Sequence, residues 1–500
     1  MTEWIAEIAE ILPKKKNTAK SGRGSGMKKG ERGLSAGRLA MMALGTVIGG
    51  SFFLGSSVAV HAAGPAILLS YVLGGVLVYF ILTALSEMTV ANPDSGSFRT
   101  FASQIFGQGA GFVVGWVYWT GMVLAMSSEA TAVSVLVRQW IPGLNVPLFG
   151  SVMISAVTLL NLMGANRLSR LESGLAAIKI AAVAVFILFA AILIFGLVPG
   201  RAPVGLGALP GEAFAPGGLR GVAGSMLIVV FAYAGFEIIG LAASETENPK
   251  ETVPRAIRYT VLGLTGLYIL STVVLLPLIP TDQIDENSGF MVTALNRHGF
   301  GWAGDVLNLV LITAILSTML AAMFGLGRMM RSLAEDGLAP AWLRDGGDVP
   351  RRGILFSGFA MLAGLALGLL FPRAYLFLIS SGGFAMLFTY AAVMATHIRF
   401  RRKNGCPPDG KCQMAGFPYT SYFTLAALIA AILSMPFVPG QGAGLAAGAV
   451  TVAFYMLCYW VLRPIFLRGK SAGRLASARR LRGVQSEISL EQPPPDRKKD

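Results

Sequence analysis

Charge is what this 500-residue sequence has least of. Asp, Glu, Lys and Arg make up 13% of it, about half the share of an ordinary soluble domain. With 54% of residues drawn from AVILMFWYC, a water-soluble fold would expose too much apolar surface, and a disordered chain needs the opposite balance. Cysteine is nearly absent: only Cys406, Cys412 and Cys458 occur. Three are too few for a disulfide framework, and the spacing of the first two does not suit a Cys-x-x-Cys zinc half-site. Reduced thiols are the expectation for that pair, and a small apolar filler for Cys458. His61, His298 and His397 are too scattered to hold a metal with carboxylates, and no Ser or Cys nucleophile has a His nearby. Gly-Ser-Gly-Met-Lys-Lys at 24–29 lacks phosphate-loop spacing. An enzyme, a resident cofactor and an ATP-driven pump are therefore not expected. A cleavable leader is not expected either, because MTEWIAEIAEIL carries acid where a leader carries positive charge.

What the sequence does have is glycine, 61 residues of it, and long unbroken apolar runs. Both suit transmembrane helices, and continuous rather than alternating hydrophobicity argues against a β-barrel. Spans are expected near 38–61, 66–89, 111–137, 146–165, 173–198, 219–243, 255–279, 303–331, 353–371, 374–396, 420–437 and 441–464. The formal charge of +15 comes from 41 basic and 26 acidic residues. With the N-terminus placed in the cytoplasm, only Arg138, Arg201, Arg220, Arg297 and Arg373 fall outside, and Lys179 falls within a span. That asymmetry predicts both termini on the cytoplasmic side. The basic surplus is thus a topology signal, with weak attraction to anionic lipid headgroups as a second consequence. Nucleic acid is not an expected partner. Residues 1–35 read as a basic cytoplasmic tail, in which Trp4, Ile5, Ile8, Ile11 and Leu12 at helical spacing suit either an interfacial helix or a frayed end. Residues 36–466 read as the membrane domain and 467–500 as a polar, disordered cytoplasmic tail.

Two spans look broken. The first holds Gly45-Thr-Val-Ile-Gly49-Gly50-Ser51 at its centre, poor helix material. Close packing through small residues would explain it, and so would an unwound segment, which lipid tolerates only around a cavity or ligand. The sixth span is interrupted at Gly235 and carries Glu237. Interrupted helices at matching places in two five-helix halves point to a transport site. A half-helix N-terminus suits a carboxylate and a half-helix C-terminus an ammonium. Two such breaks face to face would hold a zwitterion such as an α-amino acid.

These segments carry a resemblance. The chain resembles the amino acid permeases of the amino acid–polyamine–organocation superfamily, most closely the bacterial amino acid transporter branch, over residues 36–465. The likeness rests on GTVIGGSFFLGSS at 45–57 with Ala63-Gly64-Pro65, LSEMTVANPDSGSFRTFA at 85–102, FAYAGFEIIGLAASETENPKETVPRAI at 231–257 and RMMRSLAEDGLAP at 328–340. Ser51 stands where the family has a third glycine, and Leu320-Ala321 where it often has an Asn-Ser pair. The resemblance implies an all-α integral membrane fold of 12 transmembrane helices. It would comprise a 5+5 inverted repeat over 36–398, with helices 1 and 6 discontinuous, plus two C-terminal helices over 418–466.

The implied activity is secondary active transport of an amino acid across the cytoplasmic membrane. Proton-coupled uptake leads, and exchange or uniport is the alternative; a non-transporting amino-acid sensor ranks below them. Substrate carboxylate would rest on the backbone of Gly49, Gly50 and Ser51, and the amino group on the carbonyls of Phe231, Ala232 and Ala234, with Phe231 as gate. Ionisable groups within spans are functional candidates in their own right. Lys179 either snorkels to the surface or titrates, and the resemblance favours proton coupling. Glu237 serves a proton path or braces the unwound loop. Glu129 faces either a polar path or a neighbouring helix. Glu87, at the inner surface, is expected to be solvated or to form a gate salt bridge, with Arg99 or Arg328 as candidate partners, and Tyr118 to be a packing residue. Partners are the amino acid, protons and lipid. The particular amino acid and the oligomeric state are left open by the sequence.

Overall fold

The apolar runs fold as helices, because a backbone surrounded by lipid must satisfy its hydrogen bonds within its own segment. The structure is a computed structural model. It describes residues 35–463 apart from 92–96, 164, 242–245, 247, 285–288, 348, 372, 407–411 and 439. The stretch at 4–12 and both tails lie outside the described residues. Helices run in chain order as α1 (Ala36–Val47), α2 (Gly50–Phe53), α3 (Gly55–Ala63), α4 (Ile67–Ala91), α5 (Ser97–Phe106), α6 (Gln108–Arg138), α7 (Val146–Asn161), α8 (Ala165–Ile194) and α9 (Gly218–Ala232). They continue as α10 (Ile238–Leu241), α11 (Pro249–Leu275), α12 (Phe290–Arg297), α13 (Gly301–Glu335), α14 (Arg351–Gly368), α15 (Ala374–Asn404) and α16 (Tyr419–Ser434), closing with α17 (Gly442–Arg463). Among the described residues, eight helical stretches are long and apolar enough to cross a membrane, and α1, α7 and α9 are shorter apolar helices.

The interior is mainly apolar with a minority of buried polar groups, and the outward surface of the helices is apolar as well. Leu148, Leu188, Leu262, Phe359, Leu433 and Trp460 are all exposed, an arrangement that water would penalise and lipid accepts. α6 packs along α15, α13 lies against α8 and α14, and α11 lies against α4 and α1.

The ends of α1 and α9 explain the two interruptions. Thr46 Oγ1 bonds back to Ala43 O at 2.9 Å, then Ile48 and Gly49 turn extended and the helix restarts at Gly50. In the other break Gly235 adopts φ +108°, a left-handed backbone that a side chain would strain. Its α-carbon also faces the first break: a Cβ there would lie 3.1 Å from Thr46 O. Thr46 Oγ1 reaches Gly235 O at 3.3 Å. The two breaks therefore touch each other.

Two expectations need correction. Glu87 does not pair with Arg99 or Arg328. It is fully buried between α4 and α15, taking His397 Nε2 at 2.7 Å and Arg401 Nη1 at 2.7 Å to either oxygen. The backbone N–H groups of Gln413 (2.6 Å) and Met414 (2.8 Å) complete its shell. Arg99, on α5, instead reaches Ser332 Oγ at 2.7 Å in the last turn of α13 and Asp336 at 2.8 Å just past its end; Arg328 lies over the Phe324 ring. The cause is register: Glu87 faces α15, whereas α5 lies along α6. The second correction concerns Cys406 and Cys412, which form a disulfide, with Cα atoms 5.2 Å apart; Cys458 is free.

Candidate functional site

The first break leaves two kinds of unsatisfied backbone group: carbonyls at the end of α1 and N–H groups at the start of α2. The structure supplies a partner of the right sign to each. Lys179, buried on α8, donates to Gly45 O at 2.7 Å and to Thr318 Oγ1 at 2.9 Å. Thr318 Oγ1 in turn lies 3.3 Å from Ile48 O. On the other side of the break, Glu129 on α6 takes the Gly50 N–H at 3.0 Å on Oε2 and the Ser51 N–H at 3.1 Å on Oε1. A cation at a helix C-terminus and an anion at an N-terminus both have favourable dipole interactions.

Glycine leaves the space that the Glu129 and Thr318 side chains occupy. A Cβ on Gly50 would overlap Glu129 Oε2, and one on Gly49 would lie 2.8 Å from Thr318 Oγ1. The same bare backbone that lets Glu129 dock is what a small carboxylate would need.

The second break is braced from within. Glu237 Oε2 takes the N–H of Gly235 at 2.7 Å, and Tyr390 donates to Oε1 at 3.2 Å; Tyr118 stands beside the same carboxylate. The Ala234 N–H returns to Phe231 O at 2.9 Å. Ala232 O accepts from Tyr268 on α11 at 2.9 Å.

Between the breaks lies a cavity of about 60 Å³, room for a few waters. Ser51, Glu129, Phe231, Ala234 and Glu237 line it, together with Thr318 and Tyr118. Gly49, Gly50 and Lys179 sit directly behind that lining, held to it through Thr318 and Glu129. Ala232 does not reach the cavity; its carbonyl turns toward Tyr268. Thr46, Val47, Gly325 and Leu326 extend the lining toward the membrane side on which α1 begins. Past the first break, outside the cavity lining, Phe52 stacks on Tyr268 at 4.0 Å and meets Phe290 edge-on at 5.6 Å.

Sequence reading passed over Thr318, Tyr268 and Tyr390. Thr318 left a signal, as one of two neighbouring hydroxyls in an otherwise apolar run, Ala314–Ala322. The tyrosines left none, since a ring in a span reads as packing. Tyr118, expected to pack, faces the cavity.

The sequence profile of the amino acid permease family matches residues 38–472. The chain belongs to the amino acid permease family. It is 30% identical over 454 residues to a gamma-aminobutyric acid permease of Bacillus subtilis (strain 168), covering 90% of this chain and 96% of that one. A gamma-aminobutyric acid permease of Escherichia coli (strain K12) is 31% identical over 417 residues, covering 82% and 89%. A probable threonine/serine transporter of Bacillus subtilis is 29% identical over 440 residues, covering 86% and 95%. Permeases of this superfamily are transporters and not enzymes, and the apolar helices make this one a multi-pass membrane protein.

Proposed function

We propose that this permease accumulates a neutral, zwitterionic amino acid by proton-coupled symport. It does so through a twelve-span inverted-repeat fold with both termini in the cytoplasm. The observation that carries the proposal is the position of Glu129: an internal carboxylate occupies the two N–H groups best suited to a substrate carboxylate. Two anions cannot share those donors, because at hydrogen-bonding range their repulsion in a dry site outweighs one bond each. Substrate carboxylate therefore takes the Gly50 and Ser51 amides, with Gly49 adjoining, as Glu129 accepts a proton and withdraws. Each bound substrate is thereby linked to one proton.

The amino group then lies toward the second break, where the carbonyls of Phe231 and Ala234 and the Glu237 carboxylate provide acceptors. Phe231 covers it as the gate. Lys179 fixes the end of α1 through Gly45 O, so a change in its charge loosens that end relative to α8. The α-amino substrate of the threonine/serine transporter and the ω-amino substrate of the gamma-aminobutyric acid permeases are both zwitterions, which is the chemistry this site matches. Rocking of the broken helices against the rest then moves the site between faces.

The test is radiolabelled uptake of neutral amino acids into proteoliposomes, with and without an inward proton gradient. Wild type is expected to accumulate substrate only with the gradient. Glu129→Gln, fixed in the uncharged form, is expected to exchange preloaded substrate yet fail to accumulate it. Wild type that exchanges but never accumulates would make the protein an exchanger. Binding without either flux would make it a sensor.

A further inference from the structure

A second cavity lies away from the helix breaks, on the outer surface. It is an open groove of about 380 Å³ whose walls come from four helices: Ala102 and Phe106 of α5, Ala110 of α6, Ala392 of α15, and Met456 and Tyr459 of α17. Small side chains create it. Alanines on α6 and α15 hold back from the space that Tyr459 and Met456 roof. Gly109 lets α17 lean in, since a Cβ there would lie 2.8 Å from the Tyr459 ring.

The groove is apolar along its length and basic at one end. Arg399 follows the lining residue Ala395 by about one turn of α15, and Arg463 follows Tyr459 by about one turn of α17. Both helices end on the same side of the membrane, the side where α1 begins, so both arginines stand at the same mouth. Both are exposed, and the Arg399 guanidinium lies 5.2 Å from the centre of the Phe106 ring, which bounds the groove. The groove opens sideways beside Phe454, Leu457 and Trp460, all exposed apolar residues of α17. Its surroundings are therefore lipid rather than water.

We infer that this groove is a site for one anionic glycerophospholipid of the leaflet next to the start of α1. An acyl chain lies among Ala102, Ala110 and Ala392, and the phosphate sits between Arg399 and Arg463. An apolar slot capped by two cations selects an amphiphile with an apolar tail and a negative head. A zwitterionic lipid offers the same tail but carries its own cation to the arginines. The inference rests on membrane embedding alone and is independent of what the permease carries.

The experiment is native mass spectrometry of the purified, delipidated full-length protein titrated with phosphatidylglycerol or with phosphatidylcholine of the same chains. Wild type is expected to retain one phosphatidylglycerol in clear preference to phosphatidylcholine. Removing each arginine, as Arg399→Ala and Arg463→Ala, lowers that preference about fivefold, and Arg399→Lys largely keeps it. Ala392→Trp fills the slot without altering charge and lowers retention of both lipids. Equal retention of the two lipids by wild type overturns the proposal. So does an unchanged preference in the double arginine variant, whose exposed positions leave the fold intact. A dimer that Ala392→Trp dissociates overturns it too, because a second copy of the chain then fills the groove.

Discussion

Glu129 Oε2 sits 3.0 Å from the Gly50 nitrogen, on the side of that residue where any side chain would stand. Glycine at position 50 therefore leaves the space that the docked carboxylate on α6 occupies. Gly50→Ala is expected to expel Glu129 and forfeit two charge-assisted bonds, lowering stability by about 2–4 kcal/mol. Glu129→Ala removes the clash, so the double variant should be less destabilised than the two single losses summed. Thermal unfolding of the four proteins in detergent checks this; strict additivity would mean that Glu129 is not docked there.

Lys179 holds Gly45 O and Thr318 together. Lys179→Ala is expected to abolish gradient-driven accumulation while the purified protein still binds substrate. Thr318→Val, which removes only the hydroxyl, should lower transport less. The comparison is made with uptake and scintillation-proximity binding on the same preparations, and loss of binding in Lys179→Ala would make the lysine a structural brace.

Tyr268 donates to Ala232 O at the edge of the second break. Tyr268→Phe keeps the stack on Phe52 and deletes that single bond, worth about 1 kcal/mol. The break then relaxes, and the apparent substrate affinity is expected to fall about fivefold with folding preserved. Dose–response of uptake checks it, and an unchanged affinity would separate this bond from substrate binding.

Glu87 takes bonds from His397, Arg401 and two loop N–H groups while fully buried. Glu87→Ala leaves Arg401 without its counter-ion, and a broken buried pair costs about 3–5 kcal/mol. His397→Ala should cost less, because Arg401 and the loop remain. Melting temperatures in detergent rank the two, and the reverse order would contradict this account of the cluster.

The disulfide gives a count of reactive thiols. Unfolded, unreduced protein is expected to take one maleimide, at Cys458, and reduced protein three. Intact-mass measurement reads the difference directly; three labels without reductant would restore the reduced pair.

Both helix interruptions were legible in the sequence, because Gly49, Gly50 and Gly235 mark local backbone needs that neighbouring residues cannot hide. Lys179 was legible for a similar reason: a lone cation in an apolar run declares itself. Glu129 was visible as a charge, but its address was not. Its bonds to Gly50 and Ser51 span 79 and 78 residues and depend on how α6 packs. The direction of the Ala232 carbonyl was hidden because carbonyl orientation depends on a hydroxyl 36 residues away. The partners of Glu87 lie more than 300 residues off, and nearness in sequence to Arg99 pointed the wrong way. Cys406 and Cys412 show the limit of spacing rules: six positions fit no metal motif, yet the loop brings the sulfurs together.

The lining that runs from the cavity toward the start of α1 gives this conformation a sidedness that pharmacology can read. The expectation is that a membrane-impermeant blocker shaped for the cavity reaches it from the face where α1 begins, toward which Thr46, Val47, Gly325 and Leu326 extend the lining. Applied to one surface at a time, such a compound would report how long the transporter dwells in this state, and substrate trapped behind it would lengthen that dwell.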